Sequence, residues 1–471
     1  MSEDLLTKAD GNIEVFSAYR SRNEFLSVLK IKNFMVFSLS QAVSLFGDKV
    51  DYMALLAMIA YFSEKLGWQS SRALSYLSIV ITLPTILLGP LAGVFVDRWN
   101  RLKVLVFCDL SRAILVSMIP LIILKTTSLY LVYIITFLVF LFGLFFNTAR
   151  LAIIPNLVAR RRLLSANAFI NFIGRVATFI GVLVGGLVVD WQIWHKLGIK
   201  PAWAAGFYLD GISYLISVLA LLFIWTRTSF GERITQSAMN KELIQAQPDS
   251  QIITAAQSAS KRFLQEITFA VQFVRENLLV FYVFITIIIL VLLGAATFIL
   301  LIPYIQAPTV KMGLGWGTKG VSLVVAAGAV GLVLSSVGYG IIGHRINKYT
   351  LLPVSLIIIA LIIVILPFIN KFLIMTFLAF LLGLLVSPIF IAQDTIIQEI
   401  VPSEIRGRIF SGREWILHVS FAICALLIGE LSNFLSRKVL LLIISTIAII
   451  FSSLLLTILK RKSNYKISLR S

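Results

Sequence analysis

Long hydrophobic runs, separated by short polar segments, follow one another along most of the chain. Runs such as Leu129 to Phe142 and Leu351 to Phe368 are apolar on every helical face, whereas a membrane β-strand alternates apolar and polar residues. A helix crosses the hydrocarbon layer with about 20 apolar residues. The pattern predicts an all-α polytopic membrane protein with twelve transmembrane helices. The predicted spans are residues 34–62, 73–96, 104–124, 129–150, 163–190, 203–225, 278–304, 320–343, 350–369, 372–394, 409–432 and 439–459.

Composition excludes a water-soluble globular protein. The 471 residues are 59% hydrophobic and 13% charged, against roughly 45–50% and 25% in soluble domains. Cys108 and Cys424 lie inside apolar runs, and the sequence has no spacing typical of a metal site or a phosphate-binding loop. We therefore expect no cofactor, no metal and no ATP hydrolysis.

The net charge of +19, from 41 Lys and Arg against 22 Asp and Glu, fits a membrane protein. In a soluble protein such an excess points to nucleic acid, but bacterial membrane proteins collect Lys and Arg on their cytoplasmic side. With twelve spans, 28 basic residues fall on one side and ten on the other. We expect a monomer in the lipids of the bacterial plasma (inner) membrane, with cytoplasmic termini and no nucleic-acid partner.

The longest polar interruption divides the spans into two groups of six. Its last part, from Lys261, places Phe263, Ile267, Ala270 and Val274 on one helical face, which predicts an amphipathic helix on the membrane surface. The predicted units are a cytoplasmic tail at 1–33, a six-helix bundle at 34–225, a cytoplasmic linker at 226–277, a second bundle at 278–459 and a basic tail at 460–471.

A short motif occurs twice, once in each half, which indicates an internal repeat. The first copy follows span two and the second follows span eight, with identical spacing. The paired residues are Gly93 and Gly340, Asp97 and His344, Arg98 and Arg345, Asn100 and Asn347, and Arg101 and Lys348.

The first copy reads Gly-Val-Phe-Val-Asp-Arg-Trp-Asn-Arg-Leu-Lys from Gly93 to Lys103. It resembles the G-x-x-x-D-R-x-G-R-K signature between spans two and three of the major facilitator superfamily (MFS). The resemblance extends from about Phe34 to Leu459 and implies two pseudo-symmetric six-helix bundles. Asn100 replaces the second Gly of the signature, which we attribute to the tolerance of Asn for positive φ.

Further segments are similar to particular branches of this family. Residues 149–155, 164–168 and 401–408 resemble the branch that includes macrolide-efflux proteins and the enterobactin exporter. Residues 44–48 and 187–190 are similar to the bacterial lysophospholipid transporter. The substrate class stays open between these branches.

The repeated motif suggests a cytoplasmic gate. A carboxylate flanked by cations can bridge helix ends of the facing half through charge-assisted hydrogen bonds, and the resemblance implies such a latch, with Asp97 as the better candidate. The alternative is an ordinary basic turn. The predicted gate residues are Gly93, Asp97, Arg98, Arg101, Arg345 and Glu414.

Span five contains three glycines, Gly181, Gly185 and Gly186. They are similar to the end of the antiporter signature of MFS exporters, although Val182 stands where those exporters have Pro. Small residues also allow helices to approach closely. The glycines therefore indicate either flexion in an antiporter or plain helix packing.

Ionisable residues at membrane depth are functional candidates by default. Asp48 lies midway along span one, and Asp51 shares its helical face whereas Lys49 is turned away. Repulsion between two carboxylates on one low-dielectric face favours proton uptake, as a coupling site requires. The alternative is that Asp48 is a structural acid paired with Lys49 or Arg175.

Other charged residues receive separate interpretations. Arg175 in span five, with Asn171 one turn earlier, either binds an anionic substrate group or pairs with an acid of span one. Asp109 and Arg112 form an i,i+3 pair that reads as structural, and Asp210 is expected near the outer surface.

Among function classes, a secondary active transporter fits best. The first hypothesis is proton-coupled antiport that exports amphipathic small molecules of drug, macrolide or siderophore type by alternating access. The alternative is energy-independent lysophospholipid movement between leaflets. A membrane-embedded enzyme is a rival class, but His195, His344 and His418 are scattered; a non-transporting scaffold would leave the buried charges unexplained. We therefore predict no enzyme.

Overall fold

The structure is a computed structural model that describes residues 28–159, 162–226, 268, 272–309 and 313–468. Its described part contains twelve long helices. The first six are α1 Lys32–Lys65, α2 Ser70–Arg98, α3 Arg101–Thr126, α4 Leu129–Leu157, α5 Leu163–Val189 and α6 Ala204–Thr226. The second six are α7 Leu278–Gln306, α8 Gly317–Ile342, α9 Lys348–Ile365, α10 Phe372–Ile400, α11 Ser403–Leu431 and α12 Arg437–Ser468.

These helices confirm the predicted fold class. Eleven of them have at least 18 residues and an apolar stretch with at most two charged side chains, which suffices to cross a membrane. The remaining helix, α1, has 34 residues and carries three charges near its middle, at Asp48, Lys49 and Asp51.

Several helices extend beyond the predicted spans on the predicted cytoplasmic side. Helix α4 continues to Leu157, α10 continues to Ile400 and α11 begins at Ser403. Helix α12 runs to Ser468, so the first residues of the predicted tail are helical. Hydropathy marks where the apolar layer ends, whereas backbone hydrogen bonding continues into the polar interface. The predicted amphipathic helix lies largely outside the described residues; residues 272–276 are helical.

The repeated motif has the same local structure in both halves. The Asn100 side chain accepts hydrogen bonds from the backbone N–H groups of Leu102 and Lys103, at 3.1 and 3.2 Å. Asn347 accepts one from Tyr349 at 3.0 Å. Each Asn is thus the N-cap of the next helix. Asn100 has φ of −67°, so our explanation by positive φ was wrong.

The two halves meet chiefly through two helix pairs, α2 with α11 and α5 with α8. Within the first half α1 packs on α5 and α6, and within the second half α8 packs on α10. The close contact between α8 and α10 requires glycine, since a Cβ on Gly383 would lie 2.0 Å from the carbonyl oxygen of Gly328.

Candidate functional site

A buried charge cluster lies where α1, α3 and α6 meet. The Tyr214 hydroxyl donates a hydrogen bond to Asp48 Oδ1 at 2.5 Å, and Arg112 Nη1 lies 3.6 Å from the same oxygen. Arg112 also forms an ion pair with Asp109, as its i,i+3 spacing predicted. The carboxyl of Asp48 is therefore held by two other helices rather than by Lys49 or Arg175.

Arg112 is the centre of this cluster. Its Cζ atom lies 4.4 Å from the ring centre of Phe146 and 4.2 Å from that of Tyr214, which are cation–π distances. Its side chain is almost fully buried, as is that of Asp109, whereas Asp48 is 29% exposed. Of these three charged side chains, Asp48 is thus the most exposed.

Asp210 belongs to the cluster and not to the outer surface, which corrects the sequence-based placement. It is completely buried and accepts a hydrogen bond from the Ser213 hydroxyl at 2.9 Å. A Cβ on Gly47 would lie 2.3 Å from Asp210 Oδ1, so only glycine there lets α6 bring this acid against α1. The position of Asp210 along span six predicted the wrong depth. Its contact with α1 depends on Gly47, which lies on a different helix.

Three carboxyl oxygens in the cluster, Asp51 Oδ1, Asp109 Oδ2 and Asp210 Oδ2, are buried and accept no hydrogen bond from the described residues. An ionised oxygen without a partner is costly in a low-dielectric interior.

The remaining predicted residues of this site lie on the α5 side. Lys49 is partly buried, and a Cβ on Gly181 would come within 2.9 Å of its Cβ. Asn171 and Arg175 are exposed. Eleven residues, about three turns, separate Arg175 from Gly186, so both lie on the face of α5 that points towards the second half.

The three glycines of α5 lie at close helix contacts. A Cβ on Gly181 would lie 2.7 Å from the carbonyl oxygen of Phe46, and one on Gly185 would lie 3.0 Å from Val50 Cα. A Cβ on Gly186 would lie 2.2 Å from Ser322 Oγ on α8. These contacts favour helix packing over flexion, and Gly186 in particular joins the halves.

The halves are joined on the side opposite the predicted cytoplasm. Asp190, directly after α5, accepts a hydrogen bond from the backbone N–H of Lys319 at 2.8 Å, in the first turn of α8. Near the other helix pair, Arg72 Nε and the Tyr76 hydroxyl donate to Glu430 at 3.1 and 2.6 Å. Sequence reasoning missed this closure, because the partners lie far apart in the chain.

On the predicted cytoplasmic side the ends of the same helices carry exposed side chains. Leu164 at the start of α5 is 84% exposed, and Ile341 near the end of α8 is 67% exposed. By contrast Gly186 and Ser322, at the other ends, are buried. With the predicted orientation, the polar contacts described between the halves lie on the outer side and these exposed helix ends lie on the inner side.

The predicted gate residues lie on this predicted cytoplasmic side. The side chains of Asp97 and Arg98 are outside the described part of the structure, and Gly93 has open space at its Cβ position. Arg101 donates to Ala152 O at 2.8 Å, within its own half. In the second half Arg345 donates to His344 at 3.3 Å, and Glu414 accepts from Arg413 at 2.7 Å.

Asp190→Ala is expected to loosen the outer closure, because α8 loses its N-terminal cap. Such a loss costs about 0.5–2 kcal/mol, or roughly 2- to 30-fold in the closed-to-open ratio. Asp190→Asn keeps an acceptor oxygen and should change it little. Labelling of an Ala57→Cys reporter by an impermeant maleimide measures the opening. Equal labelling with either substitution would contradict capping.

Burial raises the pKa of the Asp190 carboxyl above its usual range, although backbone hydrogen bonds partly oppose this. An exposed carboxyl in the open form has an ordinary pKa, so protons bind preferentially to the closed form. Lowering the pH from the raised pKa towards the ordinary one should reduce labelling of the wild-type reporter. The Asp190→Asn variant should lose labelling only as far as the thiolate fraction of the reporter falls, so the additional loss in the wild-type background measures the effect of the proton on Asp190.

A sequence model of the Major Facilitator Superfamily matches residues 37–412 and 287–469. The chain belongs to this family. It is 23% identical to YvqJ, an uncharacterized MFS-type transporter of Bacillus subtilis, over 85% of this chain and 86% of that protein. It is 24% identical to macrolide efflux protein A of Streptococcus pyogenes, over 81% and 84% of the two chains.

Solved MFS-like structures share the fold. The chain superposes on a bacterial homologue of the iron transporter ferroportin in its inward-facing state with a TM-score of 0.61, at 13% identity, covering 91% of this chain and 98% of that one. The nucleoside transporter NupG gives a TM-score of 0.61 at 14% identity, over 90% and 99%. The protein is thus a multi-pass MFS transporter with efflux proteins among its relatives.

Proposed function

We propose that this MFS transporter exports amphipathic small molecules by proton-coupled alternating access, as a monomer in the bacterial plasma membrane with cytoplasmic termini. The observation that carries the proposal is the charge cluster: Asp48 is reached by solvent and lies beside buried acids, with Arg112 holding it. The similarity to macrolide efflux protein A supports an amphipathic substrate.

The coupling follows from competition at one carboxylate. Ionised Asp48 attracts a cationic substrate, and a proton bound there removes that attraction. Substrate taken from the predicted cytoplasmic opening is released outside when a proton replaces it, and the empty protonated site returns inward. Each cycle then exchanges substrate for a proton.

The test uses purified protein in liposomes with an imposed pH gradient. We expect accumulation of erythromycin against its own gradient, abolished when an ionophore collapses the pH difference. Lysophospholipid in the same vesicles serves as the comparison. Lipid movement that ignores the pH gradient, without erythromycin accumulation, would instead support the energy-independent lysophospholipid transporter.

We also propose that Asp97, at the end of α2, latches the cytoplasmic side when it closes. Asp97→Asn should slow transport severalfold with little loss of folded protein, because the charge-assisted bonds of the closed form are weakened. Maleimide labelling of a Leu164→Cys reporter measures closure. Wild-type transport together with unchanged labelling would show that Asp97 is only a turn residue.

A further inference from the structure

The second half contains an apolar cavity of about 440 Å³, walled by α7 to α11. All of its lining residues belong to the second half. Of the described residues that line it, Thr297 alone has a polar side chain, and its hydroxyl donates to the carbonyl of Leu293 at 2.8 Å. The cavity therefore accepts hydrocarbon and offers nothing to a polar group.

The cavity is partly open to its surroundings and is not a sealed void of the close-packed interior. It falls within the range of small-molecule sites, about 300–1,000 Å³. Gly294 on its wall has no atom within 4 Å of its Cβ position. The missing side chain keeps the space open.

The cavity wall reaches the charge cluster through two aromatic rings. Phe298 lines the cavity, and its ring stacks on Tyr52 of α1 at 6.4 Å between centres. Tyr52 follows Asp48 by one helical turn, about 5.4 Å, on the same face. The path from the Asp48 carboxyl past Tyr52 and Phe298 therefore leads into the second half, and the two rings are in contact along it.

The carboxyl end of this path selects a positive charge. The contacts of Asp48 with Tyr214 and Arg112 are both made by Oδ1. Within the described part of the structure, Oδ2 is therefore left to bind a ligand. Asp51 and Asp210 add acidic groups behind it, buried in the interior. The other end of the path, in contrast, has no charge at all.

We infer that the substrate is a single-tailed amphipathic cation whose charged head pairs with Asp48 in the first half and whose hydrocarbon tail enters the cavity of the second half. This inference rests on the export function proposed above and names its substrate class. A molecule that contacts both halves at once also couples substrate binding to the relative movement of the two halves.

Filling the cavity tests the tail site. Gly294→Leu places a side chain in the cavity, and Gly338→Leu is the matched control, since Gly338 lies on α8 outside the lining and its Cβ position is equally free. The probes are dodecyltrimethylammonium and tetramethylammonium, bound to the protein in lipid nanodiscs. The binding of each probe is compared between the two variants, so that partition of that probe into the lipid is the same in both measurements.

Each methylene group of the tail that can no longer enter the cavity lowers the affinity about fourfold. We expect Gly294→Leu to weaken binding of the dodecyl probe at least about tenfold relative to Gly338→Leu and to leave tetramethylammonium unchanged. Equal loss for the two probes, or no loss for either, would overturn the inference. Val325→Phe on the same wall gives a second filling variant should Gly294→Leu fold poorly.

The two proposals fail in different ways. Tail-dependent binding without pH-driven accumulation of either erythromycin or the dodecyl probe would overturn the export function and leave the tail site standing. Accumulation of the dodecyl probe that is equal in Gly294→Leu and Gly338→Leu, together with equal binding, would overturn the tail site alone.

Discussion

Asp48→Asn is expected to abolish accumulation of a cationic substrate against its gradient, reducing the accumulation ratio to about one while downhill equilibration continues. Asparagine resembles the protonated acid in shape but cannot exchange a proton. The Tyr214 hydroxyl and Arg112, which contact Asp48 Oδ1, retain an amide oxygen as acceptor, so the fold should survive. Only the link between proton and substrate is removed.

Proton release on substrate addition is the direct measurement. Wild-type protein should release protons when a cationic probe binds, and its affinity for that probe should fall as the pH falls. Asp48→Asn should release none and bind the probe weakly at every pH. Glu64→Gln, an exposed acid on the same helix, is the matched control. Equal gradient-driven accumulation in Asp48→Asn and wild type would rule out Asp48 as the coupling acid.

Arg112→Met should destabilise the protein by about 3–5 kcal/mol, the range for breaking a buried ion pair from one side. Its guanidinium lies between the rings of Phe146 and Tyr214 and pairs with the fully buried Asp109. The methionine fills part of the volume but leaves Asp109 without its cation. Thermal unfolding of the purified protein in detergent measures the loss.

The double variant Arg112→Met/Asp109→Leu separates charge from packing. It should recover much of the lost stability, because the fully buried Asp109 no longer lacks its cation. Arg175→Met, which removes an exposed arginine at a similar depth, should change unfolding little. If the single and double variants unfold alike, the ion pair is not what stabilises this region.

Parts of the site could be predicted because they depend on one helix. The depth of Asp48 follows from its distance to both ends of span one, and the pairing of Asp109 with Arg112 follows from i,i+3 spacing. The position of Asp210 did not follow, because it depends on Gly47 of another helix. Asn100 shows an intermediate case: the repeat was visible, but its capping role required the backbone geometry.

Hydropathy and the repeated motif were enough to predict that the chain spans a membrane about twelve times and is built from two related halves. Hydropathy, length and charge asymmetry are local properties, and a bilayer enforces them on each segment separately. Three features became visible only in the folded protein: Arg112 rather than Arg175 holds Asp48, Asp190 caps a helix of the other half, and residues of the second half line an apolar cavity. These features depend on how far each helix rotates and how closely it approaches its neighbours. Small residues on facing helices set that approach, and nothing in the order of residues along one helix reveals which partner it meets.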